Sequence, residues 1–332
     1  MSRTRRARLA AALGALACAP GPAAAAPPPT AIDVDRDTTP PGQAELSFDG
    51  GAPIGTWALG ATLGFVERPI IFTTADSRAY PVDYRETLAL GGALALGDHL
   101  IVDAKLPLSH QVGTRLRGFG DDDAALDRWV VGDLALGARV RVVQTEHVAL
   151  FFRGDLTLPT GDQNDFAGEA SWTLSWLGIA RVTLPHAIAL AGTAGVLLRA
   201  DDVEVEDQLV GDALVWGAGA TIGIPPIAHL WCDPEQLRAA LEFDGEVGDR
   251  NVDHSHGPSP AEVKVGVIGR VRPEYAIAVR VGTHLDDQLG APLFRATIDL
   301  VYQPHPASAR PALSQTRRDA TPAESTDDDG DE

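Results

Sequence analysis

The 332-residue chain has two cysteines, Cys18 and Cys232, and a single methionine. So few thiols, so far apart, exclude a disulfide scaffold and any CxxC metal motif. Basic residues are also short, with 27 Lys and Arg against 46 Asp and Glu and a net charge of −19. A chain this acidic repels nucleic acid and anionic lipid, so neither is expected as an electrostatic partner. Long hydrophobic runs are missing as well. The uncharged stretches 182–198 and 213–231 come nearest, but Pro185 interrupts the first and Pro225-Pro226 the second, and both are glycine-rich. No membrane-crossing helix is expected.

At the start of the chain Arg3, Arg5, Arg6 and Arg8 precede an apolar run over 9–17 and small residues ending in Ala23-Ala24-Ala25. That order predicts a secretory signal peptide over residues 1–25. Lipidation at Cys18 is the rival processing, but Ala15 stands where such signals carry a large aliphatic residue. Cleavage after Ala25 removes the four arginines and leaves Cys232 as the sole cysteine. Residues 26–44 read as a Pro-rich linker and 303–332, ending in DDDGDE, as a disordered acidic tail. DDDGDE has neither the length nor the flanking helices of a calcium-binding EF-hand loop, so it reads as a solvated charge run.

Between residues 45 and 302 one pattern recurs, apolar residues alternating with small or charged ones. It is plainest over 128–184. Leu134, Leu136, Ala138, Val140 and Val142, preceded by Val130 and Gly132, share one parity, and Asp133, Arg139 and Arg141 the other. In the next segment Val148, Leu150, Phe152, Leu156 and Leu158 oppose Arg153, Asp155 and Thr157. Period two is the strand signature; a helix would scatter those charges round its circumference. The connections alternate in length as well: short at 144–147, long and polar at 160–170, short again at 185–187. Only 224–235, which holds Pro225, Pro226, Trp231 and Cys232, is long where a short turn is due.

Counting such segments predicts about twelve strands, long enough for a tilted bilayer crossing. The last strand ends on Tyr302. The predicted fold is an all-β, transmembrane, up-and-down antiparallel β-barrel over 45–302, with short periplasmic turns and long external loops. Closure into a ring is the one way in which strands satisfy their backbone groups in lipid. The bacterial outer membrane is the expected location. The lipid bilayer, lipopolysaccharide and the barrel-assembly machinery are the expected partners of a monomer that needs no cofactor.

The run Leu156-Thr157-Leu158-Pro159-Thr160-Gly161-Asp162, followed by a glycine-containing loop and a Trp-bearing strand, resembles the outer-membrane barrels of the phenol-degradation MetA type. It also resembles the barrel half of myxobacterial OmpA-related proteins. The resemblance implies the barrel fold over roughly 45–302 and a transport role without a defined substrate. It does not extend to peptidoglycan binding, because thirty polar residues follow Tyr302 where the OmpA relatives have a periplasmic domain.

The charged parity is the coherent candidate site. Asp103 and Lys105 share it with Asp133, Arg139, Arg141, Arg153 and Asp155 in the first half of the barrel. In the second half it carries Arg238, Glu242, Asp244, Lys264, Arg270, Arg280, Arg295 and Asp299. Two readings stand: a polar channel whose wall sets selectivity, or an ion-pair network that packs a narrow, non-conducting lumen. Asp253-His254-Ser255-His256 supplies two of the three or four ligands a zinc or copper site needs, and reads as a surface loop. Asp83 and Asp253 with His254 make no motif that fixes a catalytic pair, so no enzyme is expected. The acidic loops around Asp121, Asp201 and Asp286 could bridge lipopolysaccharide through divalent cations, or be simply solvated.

Overall fold

The computed structural model describes residues 57–304, except 70–71, 74–77, 98, 115–124, 186, 206–207, 225–236, 249–258, 273 and 286–289. The expected signal peptide, linker and acidic tail lie outside the described residues. So do the long 225–236 connection with Cys232, the His254/His256 loop and Asp121.

In chain order the strands are β1 (Trp57–Glu67), the two-residue β2 (Phe72–Thr73) and β3 (Arg78–Ala79), β4 (Tyr84–Ala95), β5 (Leu100–Thr114), β6 (Ala125–Val131), β7 (Leu134–Gln144) and β8 (Val148–Leu158). They continue as β9 (Thr173–Leu184), β10 (Ile188–Arg199), the short β11 (Val203–Val205) and β12 (Gln208–Val210), β13 (Ala213–Gly223), β14 (Arg238–Gly248), β15 (Ala261–Arg272), β16 (Tyr275–His284) and β17 (Phe294–Tyr302). Twelve of them pair antiparallel in the order β4-β1-β17-β16-β15-β14-β13-β10-β9-β8-β7-β5, and the β4–β5 pairing closes the ring. The predicted twelve-stranded barrel is the fold. β2–β3 and β11–β12 are small hairpins inside the long connections, so residues 67–82 and 200–211 are not featureless loops.

β6 departs from the sequence expectation, which ran one strand through 128–144. Leu108 pairs with Val131 and Lys105 with Ala135, so three steps along β5 face four along β6 and β7. The extra residue is a bulge at Gly132-Asp133, and a one-residue slip flips every side chain beyond it. Val130, expected on the same face as Leu134, therefore points inward and is buried, while Trp129 and Val131 are exposed. β5 also runs on to Thr114 beside β6, past the expected end at Ser109.

Alternation decides which wall is which. On β1 Leu59 and Leu63 are exposed while Ala58 and Val66 are buried, and on β17 Ile298 and Leu300 are exposed while Arg295 and Asp299 are buried. The same inversion, large apolar side chains outside and small or charged ones inside, holds on most of the ring, with β9, β10 and β13 also turning large apolar side chains inward. An apolar exterior continuous round a barrel far exceeds the patches of a few hundred Å² that soluble monomers show, and only lipid covers it.

Aromatic rings mark both rims. At the end holding the short turns, Trp57 and Tyr275 each pack on Tyr302, with centroids 5.7 and 5.0 Å away. At the other end Phe65 packs on Tyr84 and Phe294, at 6.0 and 6.4 Å. From Trp57 to Phe65 a strand rises about 26 Å, which a tilt of about 40° reduces to about 20 Å along the barrel axis. That height fits the aromatic girdles of an outer-membrane barrel.

Candidate functional site in the lumen

Twelve strands about 4.8 Å apart, tilted about 40°, close a ring about 24 Å across between backbones. Side chains from both walls enter that width, and their sizes decide what is left. Much of the inner parity of β1 and β4 is glycine, alanine or threonine: Ala58, Gly60, Thr62 and Gly64 on one, Thr87, Ala89, Gly91 and Ala93 on the other. A cavity of about 430 Å³ remains. Of the candidate residues, Asp103, Lys105, Asp133, Arg139, Arg153, Asp155, Arg280, Arg295 and Asp299 line it.

Most of these charges are tied to one another. Arg153 is the hub of one group. Its guanidinium is bidentate to Asp103 at 2.9 and 3.0 Å, and its Nε donates to Asp155 at 2.8 Å. The pair reaches from β8 over β7 to β5, and Gly137 on β7 leaves room for it. A Cβ at Gly137 would stand 2.6 Å from Arg153 Nη2 and 2.7 Å from Asp103 Oδ2. A second group lies on the opposite wall. Arg280 pairs with Asp299 and lies 3.7 Å from Glu242, and Thr62 donates to Asp299 at 2.6 Å. Beside it Lys264 reaches Asp244 at 3.1 Å, and Arg295 is bidentate to Glu262 at 3.0 Å. Buried pairs with this geometry roughly offset their own desolvation; removing one partner is what costs several kcal/mol.

Arg139 stacks on Phe151, 5.5 Å from the ring. Arg141, Arg238 and Arg270 do not line the cavity. They stand, with Arg181, within three residues of the turn ends of β7, β14, β15 and β9, a basic collar on the inner parity.

The connection over 159–172, expected as an external polar loop, folds into the mouth of the barrel. Asp165, Phe166, Ala167 and Glu169 are all buried. Asp133, at the bulge, pins both limbs: Oδ1 accepts from the Gly161 N–H at 2.8 Å and Oδ2 from the Glu169 N–H at 2.7 Å. From the adjoining strands Gln111 Nε2 on β5 donates to the Asp165 carbonyl at 2.8 Å, and Arg85 on β4 donates to the Phe166 carbonyl. Arg199, at the top of β10, lies 3.6 Å from Glu169 and 3.9 Å from Glu246. The loop therefore narrows the lumen at the long-loop end, fixed to β4, β5, the bulge and β10.

Sequence reading missed Arg85, Arg199 and Glu262, and it put Glu246 on the charged face of its strand without counting it in the candidate site. Arg85, Arg199 and Glu262 sit at or next to strand ends, where the inferred boundaries stopped a residue or two short or the alternation was too brief to assign. It also missed an apolar stretch of inner wall. Leu177, Ile179, Leu197, Ala213 and Val215 form one buried cluster with Phe151 against it. β10 is small or apolar on both parities apart from Thr193 and the terminal Arg199, so alternation there is faint. On β9 Ser175, Arg181 and Thr183 share the parity of Leu177 and Ile179 and are the signal that could have found that face. Among the described residues no group of three His, Cys, Asp or Glu side chains is placed to hold a metal ion.

No protein-family model and no curated protein sequence matches the chain. Solved structures do resemble it. The COG4313 outer membrane channel from Pseudomonas putida F1 superposes with a TM-score of 0.54 at 16% identity, over 78% of this chain and 100% of that one. NanC porin gives 0.48 at 6% identity over 74% and 98% of the two chains. The CymD monoaromatic hydrocarbon channel gives 0.41 at 10% identity over 76% and 89%. At such identities the likeness is one of fold, the closed antiparallel β-barrel that this chain shares with the COG4313 channel.

Proposed function

We propose that the protein is a passive pore for small solutes in the bacterial outer membrane. The observation that carries this reading is the lumen itself, a cavity of about 430 Å³ kept open by small inward residues on β1 and β4 and lined by charge. An inner wall of this kind is solvated, so it serves translocation and not core packing. The chain would act as a monomer inserted by the barrel-assembly machinery, and the resemblance of its LPTGD run to the phenol-degradation MetA-type barrels supports a transport role. No catalytic constellation enters this reading.

The alternative is a structural barrel whose lumen is packed by its own ion pairs. The saturated Arg153 group favours it, since a guanidinium with every edge engaged selects nothing. Heat-modifiable gel mobility followed by conductance in a planar bilayer separates the two. A folded barrel that conducts ions, and whose reversal potential moves toward cation preference in Lys105→Glu, supports the pore. A barrel that shifts on heating yet stays silent in the bilayer supports the packed lumen.

A further inference from the structure

Lys105 is the exception in the charged lumen. It lies on the inner parity of β5 and lines the cavity, yet it is exposed, and among the described residues its side chain makes no hydrogen bond or ion pair. Its flanking residues across the sheet are Gly91 on β4 and Ala135 on β7, so neither neighbour covers the side chain. The ammonium group therefore has no ion-pair partner among the described residues. A lone ammonium facing a confined aqueous cavity is a ready site for a carboxylate or other single anion.

The wall farther round the ring is of the other kind. β9, β10 and β13 are three, four and five places round the ring of twelve from β5, between a quarter-turn and nearly a half-turn away. From them Leu177, Leu197 and Val215 line the same cavity. Leu177 lies over Gly195, whose Cβ would come within 2.8 Å of the leucine, so the apolar surface is built into the wall. The cavity thus offers a cation on one side and a fixed aliphatic surface on the other, in a volume within the range that encloses a small organic ligand.

We propose that this pore selects small amphipathic organic anions, with the anionic group at Lys105 and the apolar body against Leu177, Leu197 and Val215. This rests on the pore reading and names its substrate class. The neighbouring Arg153 does not compete for the anion, because Asp103 and Asp155 occupy its donors. The basic collar of Arg141, Arg181, Arg238 and Arg270 at the turn end adds a positive inner rim at the periplasmic exit.

The test is equilibrium binding to the full mature chain in lipid nanodiscs, with hexanoate as the probe. Acetate, 1-hexanol and hexylammonium serve as comparisons. Hexanoate should bind about tenfold or more tightly than any of the three: over 1-hexanol and hexylammonium by its charge-assisted contact, and over acetate by the burial of its additional methylenes. Lys105→Gln should erase the preference over hexanol, and Lys105→Arg should keep it. Val215→Thr, nearly equal in volume, should weaken hexanoate while leaving acetate unchanged. Equal binding of hexanoate and hexylammonium, or hexanoate affinity untouched by Lys105→Gln, overturns the proposal. Conductance in potassium chloride, recorded separately, reports on the pore. A silent barrel that still binds hexanoate removes the pore and leaves the site; a conducting barrel indifferent to hexanoate removes the site and leaves the pore.

Discussion

Asp133→Asn isolates what holds the 159–172 loop inside the barrel. The native carboxylate accepts two backbone N–H groups, at 2.8 Å from Gly161 and 2.7 Å from Glu169, and is buried. Asparagine keeps the volume and one acceptor but turns an NH2 group toward the other donor. One charge-assisted bond is lost outright, and the survivor becomes a neutral one. A hydrogen bond to a charged group contributes about 1.5–3 kcal/mol, so the loop should lose about 2–4 kcal/mol of its attachment. At 1.4 kcal/mol per factor of ten, its opening equilibrium should rise by about 30- to 700-fold. Hydrogen exchange reads this locally. The Gly161, Ala167 and Glu169 amides should lose protection by about that factor, while amides of β14 to β17 keep theirs. Single-channel conductance should rise together with its noise, since the loop narrows the mouth. Unchanged protection at Gly161 and Glu169 would refute the assignment of Asp133 as the pin, whatever happened to conductance.

Gly137→Ala should destabilise the barrel by about 1–3 kcal/mol, because the added methyl overlaps the Arg153–Asp103 pair; the urea midpoint of the heat-modifiable band checks it. Arg153→Met should cost more, about 3–5 kcal/mol, by leaving Asp103 and Asp155 facing each other without their cation. Adding Asp103→Asn to that variant should recover part of the loss, and a strictly additive double variant would show that the two residues do not act as a pair.

The barrel was legible because its two walls meet different solvents. Leu134 to Val142 and Arg139 with Arg141 could be assigned to opposite faces from spacing alone, and ring closure followed from lipid, which leaves no edge strand satisfied. Period two also fixed most of the candidate lumen, since a charge on a spanning strand has nowhere else to go. The failures have the same root. Alternation is a relative signal, and it is lost wherever one residue is inserted: Gly132-Asp133 looked like two more positions in a strand, and Val130 was put on the wrong face. On β10 both parities are small or apolar, so the pattern is faint at Leu197; on β9 Ser175, Arg181 and Thr183 share the parity of Leu177, but the two apolar residues between them mask the signal.

The loop is the more instructive failure, because polarity was the wrong quantity to read. Residues 160–170 hold four acidic or amide side chains before Phe166, and a polar connection between strands defaults to solvent. What brings it inside is the demand of the wall and not the composition of the loop. The bulge that mis-set the parity also aims Asp133 into the mouth, where a buried carboxylate requires donors. Gly161 and Glu169 supply two backbone N–H groups at the right separation, and Arg85 and Gln111 find backbone carbonyls at Asp165 and Phe166. Each partner offers main-chain atoms, which every sequence has, so the loop's side chains carry little record of where it goes. The record lies on the strands, in inward polar residues at the long-loop end, Arg85, Gln111 and Asp133, set among the small and apolar positions of the inner wall. A barrel that places unmatched hydrogen-bonding groups at one end of its lumen has specified an inward loop before the loop itself is read.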